Sequence, residues 1–156
     1  MKAHHFFRLG AVVLQRRLQI FKSIAVFCLL FPAMSYAQLE ISDAWIRDMP
    51  PSVPVRAGYL SIHNPGPGPM KILAIESEAF ERVEIHQTVE QDGMIRMERV
   101  PELDIAADSK VQFAPGGLHL MLIRPVEPIK PGMIIQINLT FDDGGEQTLE
   151  LEVKKQ

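Results

Sequence analysis

Four side chains carry the types and spacing that could do chemistry together: His86, Met97, His119 and Met121. Ten residues separate the first two, twenty-one separate Met97 from His119, and one separates the last pair. Two imidazoles and two thioethers, with neither a thiolate nor a paired carboxylate, suit Cu(I) better than zinc, iron or a hard cation. Cu(I) is a soft closed-shell ion with weak geometric demands, so thioethers can hold it and yield it to a competing donor. Cu(II) prefers nitrogen and oxygen in tetragonal geometry and suits this set less well. Imidazoles must be deprotonated to bind, so affinity should weaken as pH falls below the imidazole range near ~6.5. A lone His or Met in a β protein is packing or surface far more often than ligand. What lifts these four above that reading is their expected placement, together, on faces turned away from a core.

That placement follows from the strand pattern. In a strand, residues i and i+2 share a face, so His119 and Met121 lie side by side while Leu118, Leu120 and Leu122 point the other way. The neighbouring Gly116-Gly117 leaves room for a metal or another chain to approach. Val83 and Ile85 alternate with Glu84 and His86, so His86 also leaves the core face. Across the turn signal Asp92-Gly93, a two-residue hairpin pairs residues whose numbers sum to 185, which makes Met97 a diagonal neighbour of His86. The same register turns Arg96 and Glu98 inward, so irregular pairing is expected around Met97.

The surrounding chain reads as strands divided by turns. Expected strands cover Leu39 to Ile46, Ala57 to His63, Met70 to Ile75, Arg82 to Val89, Met94 to Val100, Lys110 to Phe113, Leu118 to Ile123, Met133 to Phe141 and Gln147 to Val153. The run Asn64-Pro65-Gly66-Pro67-Gly68-Pro69 is turn chemistry. Only Glu76 to Glu81 offers a helical turn. Seven to nine short strands at this spacing predict an all-β, antiparallel sandwich or barrel. Of the other candidates, His63 ends a strand and reads as structural or solvent-facing, Met49 and Met94 fall in loops, and Met70 and Met133 begin strands as core or edge fillers.

The N-terminal segment is of a different kind. Lys2, Arg8, Arg16, Arg17 and Lys22 stand there without an acid, followed by the apolar run from Ile24 to Phe31, Pro32 and the small-residue site Ser35-Tyr36-Ala37. This describes a secretory signal peptide, residues 1–37, cleaved after Ala37, with an apolar run too short for a comfortable membrane span; a retained N-terminal anchor is the alternative reading. Cys28 follows Phe27, where a lipoprotein cysteine requires a small residue, and leaves with the signal. The domain expected at 38–156 then has no cysteine, in keeping with an oxidising destination. Sixteen Lys and Arg less those five leave eleven against nineteen acids, a net charge of −8. That balance argues against nucleic acid and against an anionic membrane surface as partners. The 119 residues fit one domain with one core.

The spacing H-x10-M-x21-H-x-M, filled by His86, Met97, His119 and Met121, resembles the copper-binding signature of the PCu(A)C family of periplasmic copper chaperones. Ala44-Trp45-Ile46-Arg47, Ala57-Gly58-Tyr59-Leu60, Arg82-Val83-Glu84-Ile85-His86 and Pro115 to Leu122 are similar to that family as well, so the likeness runs from about Leu39 onward. It implies a cupredoxin-like Greek-key β-sandwich in the periplasm that binds one Cu(I) through the two His and two Met. It also implies delivery toward the copper centres of cytochrome c oxidase, in cooperation with a thioredoxin-like Sco protein. Two features depart from the pattern. Gln87 follows the first His where many members carry Met, and the chain ends at Lys154-Lys155-Gln156 without the His- and Met-rich tail that holds Cu(II) in some members.

Other functions fit less well. A blue-copper electron carrier needs a Cys thiolate, which the expected mature chain lacks. An enzyme would need a nucleophile-base arrangement, a phosphate loop or a catalytic His-rich metal motif, and the sequence offers none, with Asp142-Asp143 reading as turn residues before Gly144-Gly145. A metal-free secreted sandwich used for binding, and a protein that buffers copper without delivering it, are the competing readings.

Overall fold

The computed structural model describes residues 38–155, and every regular element among them is a strand. These are β1 (Glu40–Arg47), β2 (Val55–Asn64), β3 (Met70–Glu76), β4 (Phe80–Gln91), β5 (Met94–Val100), β6 (Leu103–Ile105), β7 (Ser109–Phe113), β8 (Leu118–Pro125), β9 (Ile134–Phe141) and β10 (Glu146–Lys154). All nine expected strands are present. The additional strand, β6, has three residues, too few for an alternation to show in sequence. The segment Glu76 to Glu81 holds a single hydrogen-bonded turn and no helix, the Phe80 N–H donating to the Ser77 carbonyl at 3.3 Å. Ser77 makes a tight connection there, donating its hydroxyl to the Gln136 carbonyl at 2.6 Å and accepting the Ala79 N–H at 3.3 Å. The expected signal segment, residues 1–37, lies outside the described residues.

The strands follow the order β5-β4-β8-β7-β2-β1-β10-β9-β3-β6, with β8 also paired to β2. Neighbours such as β4 with β8 and β3 with β9 are far apart in sequence, as a Greek-key sandwich requires. The expected antiparallel pairing holds except at two places, where β1 runs parallel to β10 and β7 to β8. Apolar alternation fixes which face of a strand is buried but not its direction, so these two pairings could not be read from the residues.

One core lies between the faces. Along β9, Ile135, Ile137, Leu139 and Phe141 are buried and Ile134, Gln136 and Asn138 are exposed. Ile46, Leu60, Ile72, Val83, Ile85, Leu120, Leu122, Leu151 and Val153 are among the residues packed with them in the interior. Gly58 on β2 sits opposite Leu120 on β8, and a Cβ there would lie 3.2 Å from the Cβ of Leu120 and from a methyl of Leu122. Glycine is therefore what lets β2 approach β8 so closely. The result is a β8 strand clamped by hydrogen bonds to β4 on one edge and to β2 on the other.

Candidate metal centre

Strand β8 carries His119 and Met121 on the face opposite Leu120 and Leu122, which are 1% and 0% exposed. Its antiparallel ladder with β4 sets His86 directly opposite His119 and Glu84 directly opposite Met121. The two imidazole centroids are 6.1 Å apart with the rings inclined at 40°. Residues 33 positions apart in sequence thus become cross-strand neighbours on one face.

Met97 arrives from β5. Asp92 and Gly93 both have positive φ, 54° and 72°, the two-residue turn that matches strand twist. The ladder then runs unbroken from Gln91 opposite Met94 to Ile85 opposite Val100, with Thr88 opposite Met97 and His86 opposite Arg99. Met97 is accordingly a diagonal neighbour of His86, on the same face. The expected irregularity around Met97 is absent. Residues 94–99 are all exposed, so β5 extends past the core with both faces in water, and Arg96 and Glu98 face solvent without cost. His86 is the common neighbour of the set: His119 lies straight across, while Met121 and Met97 lie diagonally toward opposite ends of β4.

The four differ sharply in accessibility. His119 is 7% exposed, His86 and Met121 are half-buried, and Met97 is 61% exposed. A buried imidazole on the face away from the core was not an expectation of the strand pattern. It arises because β8 is an interior strand, flanked on both edges. The ring is held by its Nδ1–H, which donates to the Gly117 carbonyl at 3.1 Å, and the same carbonyl accepts the Thr88 N–H at 3.2 Å. Gly117 thus contributes a positioning carbonyl to His119.

Glu84 is the neighbour of His86 that sequence reasoning passed over. Its carboxylate accepts the Nε2–H of His86 at 2.8 Å and lies 3.1 Å from Arg82 Nε and 3.7 Å from Arg99 Nε. The signal was present, because Glu84 precedes His86 by two on one strand and so shares its face. The hydrogen bond from His86 holds the Glu84 carboxyl below its usual range, against burial, which pushes it up, and with help from Arg82 and Arg99. A carboxyl depressed in the folded state stabilises the fold above the ordinary carboxylate range and loses that contribution as pH falls through its folded value. Thermal unfolding followed from pH 7 to pH 3 should therefore show a steeper acid loss in the unaltered chain than in Glu84→Gln.

The remaining candidates have other employment. His63 pairs with Glu40 at 2.8 Å and with Asp108 at 3.5 Å, a structural role as expected. Met49 gives its carbonyl to Arg56, Met70 packs against the core, and the sulfur of Met133 accepts the Lys130 N–H at 3.2 Å. Met94, expected in a loop, instead begins β5, paired with Gln91 just after the Asp92-Gly93 turn, and is exposed. Among the described residues no three or more His, Cys, Asp or Glu converge in a way that could hold a metal.

A family model described as LpqE-like matches residues 39–153. Lxx21020 of Leifsonia xyli subsp. xyli, a protein named as a lipoprotein, is 28% identical over 117 residues, covering 74% of this chain and 69% of its own. Among solved structures, the copper-bound PCuAC domain from PmoF2 superposes with a TM-score of 0.64 at 21% identity, over 81% of this chain and all of that domain. The Cu(I) form of DR1885 from Deinococcus radiodurans gives 0.63 at 26% identity, over 78% of this chain and 81% of that one. With the family model spanning nearly all of the described residues, the chain belongs to the LpqE-like family, the PCuAC family of β-sandwich domains.

Proposed function

We propose that this protein is a copper carrier: it binds one Cu(I) through His86, Met97, His119 and Met121 and passes it to an acceptor. The observation that carries the reading is the register of β5, β4 and β8, which gathers two imidazoles and two thioethers from three strands around His86. Support comes from the solved PCuAC structures that contain copper and from the soft donor set itself. The buried His119 and half-buried His86 form the fixed part of the site, and the exposed Met97 is the ligand an incoming donor can replace first. An acceptor with thiols would win the metal, since thiolate is the stronger soft ligand. No bond is made or broken in a substrate, so the role is carriage and not catalysis.

On this reading residues 1–37 direct the chain to the periplasm and are removed, and the acceptor belongs to the assembly of cytochrome c oxidase, either an oxidase subunit or a Sco-like protein. The test is an anaerobic competition titration of residues 38–156 against a chromophoric Cu(I) chelator. Withdrawal of one equivalent of Cu(I) is the expected result. A chain that withdraws none would be a metal-free sandwich with another purpose.

A further inference from the structure

The two imidazoles are held in opposite senses. At His119 the Nδ1–H is given to the Gly117 carbonyl at 3.1 Å, which leaves Nε2 as the nitrogen with a free lone pair. At His86 it is Nε2–H that is given away, to the Glu84 carboxylate at 2.8 Å. The other nitrogen of His86, Nδ1, is buried and has no hydrogen-bond partner. An orphaned acceptor inside a folded protein costs free energy unless something fills it. Histidines that bind metals commonly donate their second N–H to a carboxylate or a backbone carbonyl, which fixes tautomer and ring orientation. Both rings fit that pattern, one with each kind of acceptor.

We infer that Glu84 is a positioning residue for copper binding, holding His86 as the Nε2–H tautomer so that it ligates through Nδ1 while His119 ligates through Nε2. The inference rests on the copper-carrier reading and adds which atoms bind and what orients them. Arg82 and Arg99 take part by neutralising the carboxylate. Their guanidinium groups lie at 3.1 and 3.7 Å from its second oxygen, leaving the first for His86. Glu84 itself needs no contact with the metal, since the described carboxylates and histidines do not converge as a ligand group.

Long-range proton–nitrogen NMR on residues 38–156 reads the tautomers directly. In the metal-free protein, His86 is expected to carry its proton on Nε2 and His119 on Nδ1. On loading with Cu(I), the coordination shift should fall on Nδ1 of His86 and on Nε2 of His119. Glu84→Ala should weaken Cu(I) binding by about tenfold or more, the size of effect seen when such an orienting partner is lost. Glu84→Gln keeps an acceptor oxygen and should recover most of that loss; should the alanine variant fold poorly, the nitrogen that shows the coordination shift in the unaltered chain carries the test. A coordination shift at Nε2 of His86, or a Glu84→Ala protein that binds Cu(I) as tightly as the unaltered chain, would overturn the assignment while leaving the carrier reading standing. Failure of the unaltered chain to bind Cu(I) at all would overturn both.

Discussion

Met97→Ala should abolish tight Cu(I) binding while leaving the protein folded. Loss of a partner that merely orients a ligand costs 10–100-fold in affinity, so loss of a ligand should cost at least about 100-fold. The fold has little stake in this side chain. Met97 is 61% exposed on a strand whose two faces are both in water, so its removal should change stability by no more than about 0.5 kcal/mol. Met94→Ala is the matched control. It removes a thioether from the same strand, but an odd number of residues away and therefore on the opposite face, and copper affinity should not change. Chelator competition and denaturant titration on the three proteins check the prediction. Equal affinity in Met97→Ala and the unaltered chain would remove β5 from the site.

The opposite dissociation is expected at Leu120. This residue lies between His119 and Met121 but points into the core, where it is 1% exposed. Leu120→Ala should lower stability by about 4–5 kcal/mol, in the upper part of the range for such truncations, because the hole cannot close. Strand β8 is fixed on both edges by its ladders to β4 and β2, and Gly58 opposite has no side chain with which to fill the space. For a domain whose size lies between those with scales of roughly 4–8 °C and 2–4 °C per kcal/mol, that is a fall of more than 10 °C in Tm. Below its lowered transition the variant should still bind one Cu(I), since both imidazoles and both thioethers remain. Differential scanning calorimetry and the same competition titration would show the two effects separately, whereas a small change in Tm would mean that β8 is not clamped as described.

How much of this could be read from residues alone depended on whether the deciding interaction was local. The i, i+2 rule placed His119 with Met121 and turned His86 away from Val83 and Ile85, and Asp92-Gly93 fixed the β4–β5 register to the residue. Pairing between β4 and β8 is different. It joins residues more than thirty positions apart, and nothing in either strand announces its partner, so the cross-strand register of His86 and His119 emerged only from the fold. Arg96 and Glu98 misled in an instructive way. They implied a disturbed strand only if β5 covered the core, and the sheet extends beyond the core at that edge. The parallel pairings of β1 and β7 escaped for the reason that alternation carries no direction. Glu84 was legible and unused, because a carboxylate is a poor ligand for a soft ion and its service is to an imidazole.

The central claim concerns what surrounds the metal, and X-ray absorption at the copper edge on Cu(I)-loaded residues 38–156 tests it most directly. The expected first shell contains both sulfur and nitrogen neighbours, with the sulfur contribution reduced in Met97→Ala and in Met121→Ala. A shell of nitrogen and oxygen alone, or a sulfur contribution that survives both substitutions unchanged, would contradict the account.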